Sequence, residues 1–138
     1  MRFPMNVRRD TNGQFLVTFP DIPEAATTAD DESELFAMAV DALESALDIY
    51  FDTKRAIPLP SKLKRGQLWV NLPATAAAKA MLHNELLARG VKKAELARRM
   101  NIAAPNIERL FQARHATRFD TLEAAFAALG RRLEITIR

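Results

Sequence analysis

Apolar and polar residues alternate twice near the start of the chain. Phe3, Met5 and Val7 interleave with Arg2, Asn6 and Arg8, and Phe15, Val17 and Phe19 recur at the same spacing. A period of two predicts two strands. Between them lies Asp10-Thr11-Asn12-Gly13, whose Asn-Gly pair tolerates the positive φ of a tight turn, so the chain opens on a β-hairpin. Pro20 and Pro23 end the second strand because they cannot donate to a ladder, and a short extended piece over 26–29 can return to the sheet. The period then changes. Leu35, Ala39, Leu43, Ala46, Leu47 and Tyr50 fall on one face of a helix running to about Phe51, and Asp31 with Glu34 has the spacing of a capping box. Glu34, Asp41, Glu44, Asp48 and Asp52 form a narrow acidic stripe on the other side, a pattern that a solvated helix face also carries. Lys54 and Arg55 complement the negative end of the helix dipole. The proline-rich stretch 56–66 excludes helix and central strand. Leu68, Val70 and Leu72, alternating with Gln67, Trp69 and Asn71, predict one more strand. The first domain is therefore expected over 1–72, with Pro73 and Ala74 opening a linker to a second domain over 73–138.

The second half is helical. A helix from about Thr75 to Arg89 carries Ala78, Met81, Leu82 and Leu86 on its apolar face and stops at Gly90. From Lys92 to Leu110 the spacing is that of a helix-turn-helix. Ala97 is the small residue where two helices cross, Leu96 and Met100 flank it, Asn101 accepts left-handed geometry at the turn, and Ile102, Ile107 and Leu110 anchor the turn and the second helix. Asp120 and Glu123 predict another cap, before a helix bearing Leu122, Phe126 and Leu129 and ending at Gly130. The tail alternates Leu133, Ile135 and Ile137 with polar residues, a terminal strand with no obvious partner in a helical domain. It either packs back on its own domain or pairs with a second copy, giving a two-fold dimer. The fold class is α+β.

Charge separates the halves. From Asp10 to Asp52 there are eleven acids and no Lys or Arg, whereas 73–138 holds twelve Lys or Arg against six acids. A basic helix-turn-helix half points to nucleic acid, and an acidic half to a positive partner. Lys92, Lys93, Arg98, Arg99 and Arg109 are predicted to be exposed. The loop from Gln112 to Arg118, with Arg114, His115 and Thr117, offers basic and hydroxyl groups for phosphates. With no cysteine and only His83 and His115 as histidines, no disulfide, metal site or cofactor is expected. No apolar run reaches the roughly 18 residues of a membrane span and no signal peptide is legible, so a cytoplasmic protein is expected.

Taken in order, NGQFLVTFPDIP (from Asn12), DDESELFAMAVDAL (from Asp30), IPLPS (from Ile57), LARRMNI (from Leu96) and RHATRFDTLEAAFAALGRRLEI (from Arg114) resemble the HicB antitoxin family. The version resembled ends in a Cro/repressor-type helix-turn-helix. The resemblance spans nearly the whole chain. It implies a first domain with a partial RNase H-like fold that occludes a HicA-type toxin, a small basic RNA-cleaving protein, and a second domain that represses the operon as a dimer or higher assembly. The toxin-facing residues it implies are Asp10, Phe19, Asp21, Glu24, Asp30 and Asp31, and the dimerising ones Leu133, Ile135 and Ile137. Glu24 departs from the glycine frequent after the Pro-Asp-x-Pro turn. Ala103, Ala104 and Pro105 replace polar residues at the recognition-helix start. Base reading then rests on Asn106 and Arg109, with Ala104 or Pro105 against a thymine methyl and more weight on DNA shape. Lys93, Arg98, Arg114, His115 and Thr117 complete the DNA-facing set.

Two other classes fit parts of the sequence. A stand-alone dimeric repressor would sense a small ligand through its first domain, but an acidic stripe suits a protein partner better. A nuclease would gather Asp10, Asp21, Asp30 and Asp31 around magnesium, yet these acids fall at turns and a helix cap, where Asp has a structural role. The chain is expected not to be an enzyme.

Overall fold

A computed structural model describes residues 1–138. The strands are β1 (Arg2–Arg9), β2 (Phe15–Thr18), β3 (Thr27–Ala29) and β4 (Leu68–Asn71), in one antiparallel sheet of order β3-β2-β1-β4. The hairpin between β1 and β2 pairs Val7 with Val17 and Arg9 with Phe15. The Asp10 carboxylate builds its turn by accepting the N–H groups of Asn12 at 2.9 Å and Gln14 at 3.0 Å. Only Gly13, at φ +82°, takes positive φ there, so Asn12 does not share that task. On β4, Val70 faces Phe3 and Leu68 faces Met5.

Helix α1 (Glu32–Thr53) covers one face of the sheet. Its buried residues are the six predicted plus Phe51. Asp31 caps it, accepting the Glu34 N–H at 3.1 Å, and Lys54 closes it in the left-handed region at φ 55°. Helix α2 (Ala74–Arg89) begins directly after Pro73, so the expected linker is absent. Then come α3 (Lys93–Met100), α4 (Ala104–Arg109) and α5 (Phe119–Ala128). One apolar cluster runs from Phe3 through Leu47 and Leu82 to Leu129, so both halves share a core. No helix is long and apolar enough to cross a membrane.

Three expectations are corrected. Met81 is half exposed, while Lys79 and His83 lie on the buried side of α2; the inner face is rotated so that the Lys79 ammonium meets the loop after α4. Asp120 does not cap α5. Arg118 occupies the cap position without a side-chain bond, and Asp120 sits within the first turn, near the helix's positive end and 3.7 Å from the Arg118 guanidinium. Residues 131–138 form no strand and join neither edge of the four-stranded sheet. Leu133 packs on the core while Ile135 and Ile137 stand exposed.

Candidate nucleic-acid interface

Local sequence sets the α3–α4 corner. Leu96 and Ala97 are buried, and Asn101 turns the chain at φ 56°. The Ile102 N–H reaches back to the Ala97 carbonyl at 3.0 Å, which closes α3. Ala103 has no side chain able to cap α4, and Pro105 in the first turn removes one N–H that would otherwise need a partner. Ile107 and Leu110 then anchor α4 in the core.

The outward side of this corner carries Ala104, Pro105, Asn106 and Arg109, all exposed. The Arg109 guanidinium donates to the Asn106 side-chain oxygen at 3.4 Å, so the two polar groups expected to read bases are adjacent. Arg98 is exposed and paired with Glu95, which also holds Arg99 at 3.1 Å. Lys93 is more constrained. Its ammonium lies 3.1 Å from a Glu108 carboxylate oxygen and 5.1 Å above the Phe111 ring. His115 is exposed, and the Thr117 hydroxyl donates to its carbonyl at 3.4 Å.

Arg114 lies elsewhere. Its guanidinium is held by α1, donating to the Asp41 carboxylate at 2.6 Å, the Asp41 carbonyl at 2.8 Å and the Ser45 hydroxyl at 2.8 Å. Asp48, further along the same helix, accepts the Ala113 N–H at 2.9 Å. Two acids of the α1 stripe therefore hold the loop that comes after the recognition helix.

Lys79 meets the same loop from the other side. It is fully buried, and its ammonium donates to the carbonyls of Arg109 at 3.1 Å, Gln112 at 2.8 Å and His115 at 2.6 Å. A cation thus closes the negative end of α4 from a different helix. Burial pulls this ammonium down to about 8, opposed by the nearby Asp48 carboxylate. Sequence reasoning missed the residue. The signal for it was a lysine at i, i+3, i+7 with Leu82 and Leu86, on a face that should have been apolar.

The acids expected to face a toxin are largely engaged within the chain. Asp10 holds the hairpin turn, and Asp30 accepts from the Gln14 amide at 2.7 Å. Asp31 caps α1, and its hydrogen bond from the Ser33 hydroxyl, then that from the Glu34 N–H, lowers its carboxyl below the usual range. Asp21 accepts the Ser61 N–H at 2.9 Å and hydroxyl at 3.0 Å, pinning the proline-rich loop to the turn that follows β2. Glu24 is lowered chiefly by the Tyr50 hydroxyl donating at 2.7 Å, with Arg55 at 3.2 Å helping. Burial, and then Glu24, push the Tyr50 hydroxyl up to about 12. Phe19 is 2% exposed. Its place on the toxin-facing surface is corrected, since the same alternation that marked a strand turned its ring into the core. No group of three or more His, Asp or Glu is placed to share a metal ion, so the four aspartates considered for magnesium do not converge.

An antiparallel α+β unit packed against a helix-turn-helix with a basic outer side defines the class: a helix-turn-helix DNA-binding protein carrying an additional α+β domain. Family models agree with that division. One described as a HicB-like antitoxin of bacterial toxin-antitoxin systems matches residues 2–81, and one for the Cro/C1-type helix-turn-helix DNA-binding domain matches residues 81–134, so the two meet inside α2. The chain is 43% identical to Antitoxin HicB 2 of Photorhabdus laumondii, over 98% of this chain and 95% of that protein. It is 37% identical to Antitoxin HicB of Escherichia coli, over 99% of each. The chain belongs to the HicB antitoxin family.

Proposed function

We propose that this chain neutralises a HicA-type toxin through the α+β unit, residues 1–72, and represses its own operon through the helix-turn-helix unit, residues 73–138. The observation that carries this reading is the union, in one chain with one core, of a HicB-like antitoxin match and a Cro/C1-type helix-turn-helix match. In this reading the four-stranded sheet with α1 is the partial RNase H-like platform. Its surface acids, among them Asp10, Asp21, Glu24, Asp30 and Asp31, offer their remaining lone pairs to the toxin's basic surface in competition with RNA.

On DNA, Asn106 and Arg109 read base edges while Ala104 and Pro105 rest on a thymine methyl. Lys93, Arg98, His115 and Thr117 fix the phosphates, and Arg114 joins them only on leaving Asp41. Exposed Ile135 and Ile137, with Leu133, suit pairing of the tail with a second copy, which supplies the two-fold arrangement that reads palindromic sites.

The test is co-expression with the adjacent small toxin gene, then pull-down, light-scattering mass and an operator shift assay. A stoichiometric complex and restored growth are expected. Arg109→Ala should weaken operator binding by about 1–3 kcal/mol and relax sequence preference while growth rescue persists. No complex with the toxin, or equal loss of both activities in Arg109→Ala, would overturn the reading.

A further inference from the structure

A cavity of about 490 Å³ opens where the end of α1, the second half of α2, the start of α3 and α4 meet. That volume lies within the roughly 300–1,000 Å³ of small-molecule sites. Phe51, Leu86, Leu87 and Val91 give it an apolar wall. Three lysines, Lys54, Lys92 and Lys93, line it against a single acid, Glu108, and that acid is already paired with Lys93. Lys54 and Lys92 have no ion-pair partner in the chain. The first turn of α3 bears no side-chain cap, and its one acid, Glu95, is occupied by Arg98 and Arg99. Its free N–H groups add to the positive potential at the same mouth.

His83 supplies a third kind of contact. The residue is 3% exposed, and its Nε2 lies 2.7 Å from the Arg55 carbonyl, which can only accept; Nε2 therefore carries the proton. In the neutral ring Nδ1 is then a bare acceptor. It has no partner in the chain, yet no unbonded polar side-chain atom is sealed from solvent, so Nδ1 keeps some accessible surface on a ring that lines the cavity. The apolar wall calls for a ring or branched chain, the lysines for an anion, and Nδ1 for a donor.

We infer that this cavity binds a small organic anion with an apolar body and a hydrogen-bond donor, of the class of aromatic hydroxy acids. The carboxylate sits between Lys54, Lys92 and the start of α3, the ring lies on Leu86 and Val91, and the hydroxyl donates to His83 Nδ1. Nothing in antitoxin action or operator binding requires such a ligand, and the occupant touches both the sheet-bearing half and the helix-turn-helix half.

The test uses the full chain and the dye 8-anilinonaphthalene-1-sulfonate, which combines aromatic rings, an N–H donor and an anion. One dye site per chain is expected, displaced by 4-hydroxyphenylacetate about tenfold better than by its uncharged amide. Lys54→Ala and Lys92→Ala should each weaken the acid several-fold and leave the amide unmoved. Ala94→Trp, which fills the mouth, should abolish the site. Should that variant not fold, Leu87→Glu, at a 37% exposed position, places a carboxylate among the lysines and should exclude the acid. Addition of the acid should also shift the His83 Nδ1 resonance. Equal displacement by acid and amide, several dye sites, or dye binding indifferent to the filled mouth would overturn the proposal.

Discussion

Lys79 has three protons to give where α4 and the turn after it have run out of donors. Its stem passes between helices and its ammonium meets the carbonyls of Arg109, Gln112 and His115 at 2.6–3.1 Å. The position of the recognition helix along its own axis thus depends on a side chain thirty residues earlier. Lys79→Met keeps the stem's volume and removes the donors, leaving buried carbonyls unpaired. A loss on the order of 1–3 kcal/mol in urea unfolding is expected. Operator affinity should fall as well, while contacts made by the sheet-bearing half are unaffected. A variant as stable as the parent would show that water replaces the ammonium without loss. The helical period makes Leu82 and Leu86 legible in the sequence and sets Lys79 beside them, but lysines are seldom buried and a lysine there reads as surface. Its partners are backbone atoms, which no side-chain pattern announces. Phe19 teaches the converse. Alternation fixed its ring on the inner face of a strand, and only the resemblance suggested a surface role.

At the scale of elements, α1 has two faces with separate duties. The inner face is dictated by spacing alone, and the residues predicted from it are buried in the structure. The acidic stripe was legible as a stripe but not as a contact. Asp41 and Asp48 meet residues 65 and more positions away, and no local period carries that information. Asp41 and Arg114 form an exposed pair, with side chains 62% and 45% accessible, so its stability contribution is below about 1 kcal/mol. In the proposed reading its effect on function exceeds its effect on stability, because Arg114 must leave Asp41 before it can meet a phosphate. Asp41→Ala is therefore expected to leave the melting temperature nearly unchanged, tighten binding to random DNA and steepen the salt dependence by about one released counterion. Arg114→Ala should lack that gain, and the double variant should match it. If Asp41→Ala and the parent show the same salt slope, Arg114 does not reach DNA.

The whole molecule joins its halves at an aromatic junction. Phe51 from α1, His83 from α2 and Phe111 beyond α4 pack edge to face, with centroids 5.2–6.3 Å apart. A division at residue 72 is suggested by the loss of strand alternation, yet the helix after it packs into both halves, and the family matches meet within that helix. Periodicity marks where elements change; it does not say which of them share a core. The junction also gives the molecule a pH dependence. Burial lowers the His83 pKa below its ordinary value of 6.5, opposed by the bond to the Arg55 carbonyl and helped slightly by Lys93. The unfolded chain then binds a proton that the folded chain refuses. Stability from this group is fully present above 6.5 and is lost as pH falls from 6.5 toward the lower folded value. The melting temperature should accordingly fall as the pH drops below 6.5, with both halves losing structure in one transition because the core is continuous. His83→Phe keeps an aromatic between Phe51 and Phe111, gives up the bond to Arg55, and should melt with a flatter pH profile over that interval. Parallel profiles for the two proteins would assign the acid sensitivity to other groups and leave His83 as a packing residue only.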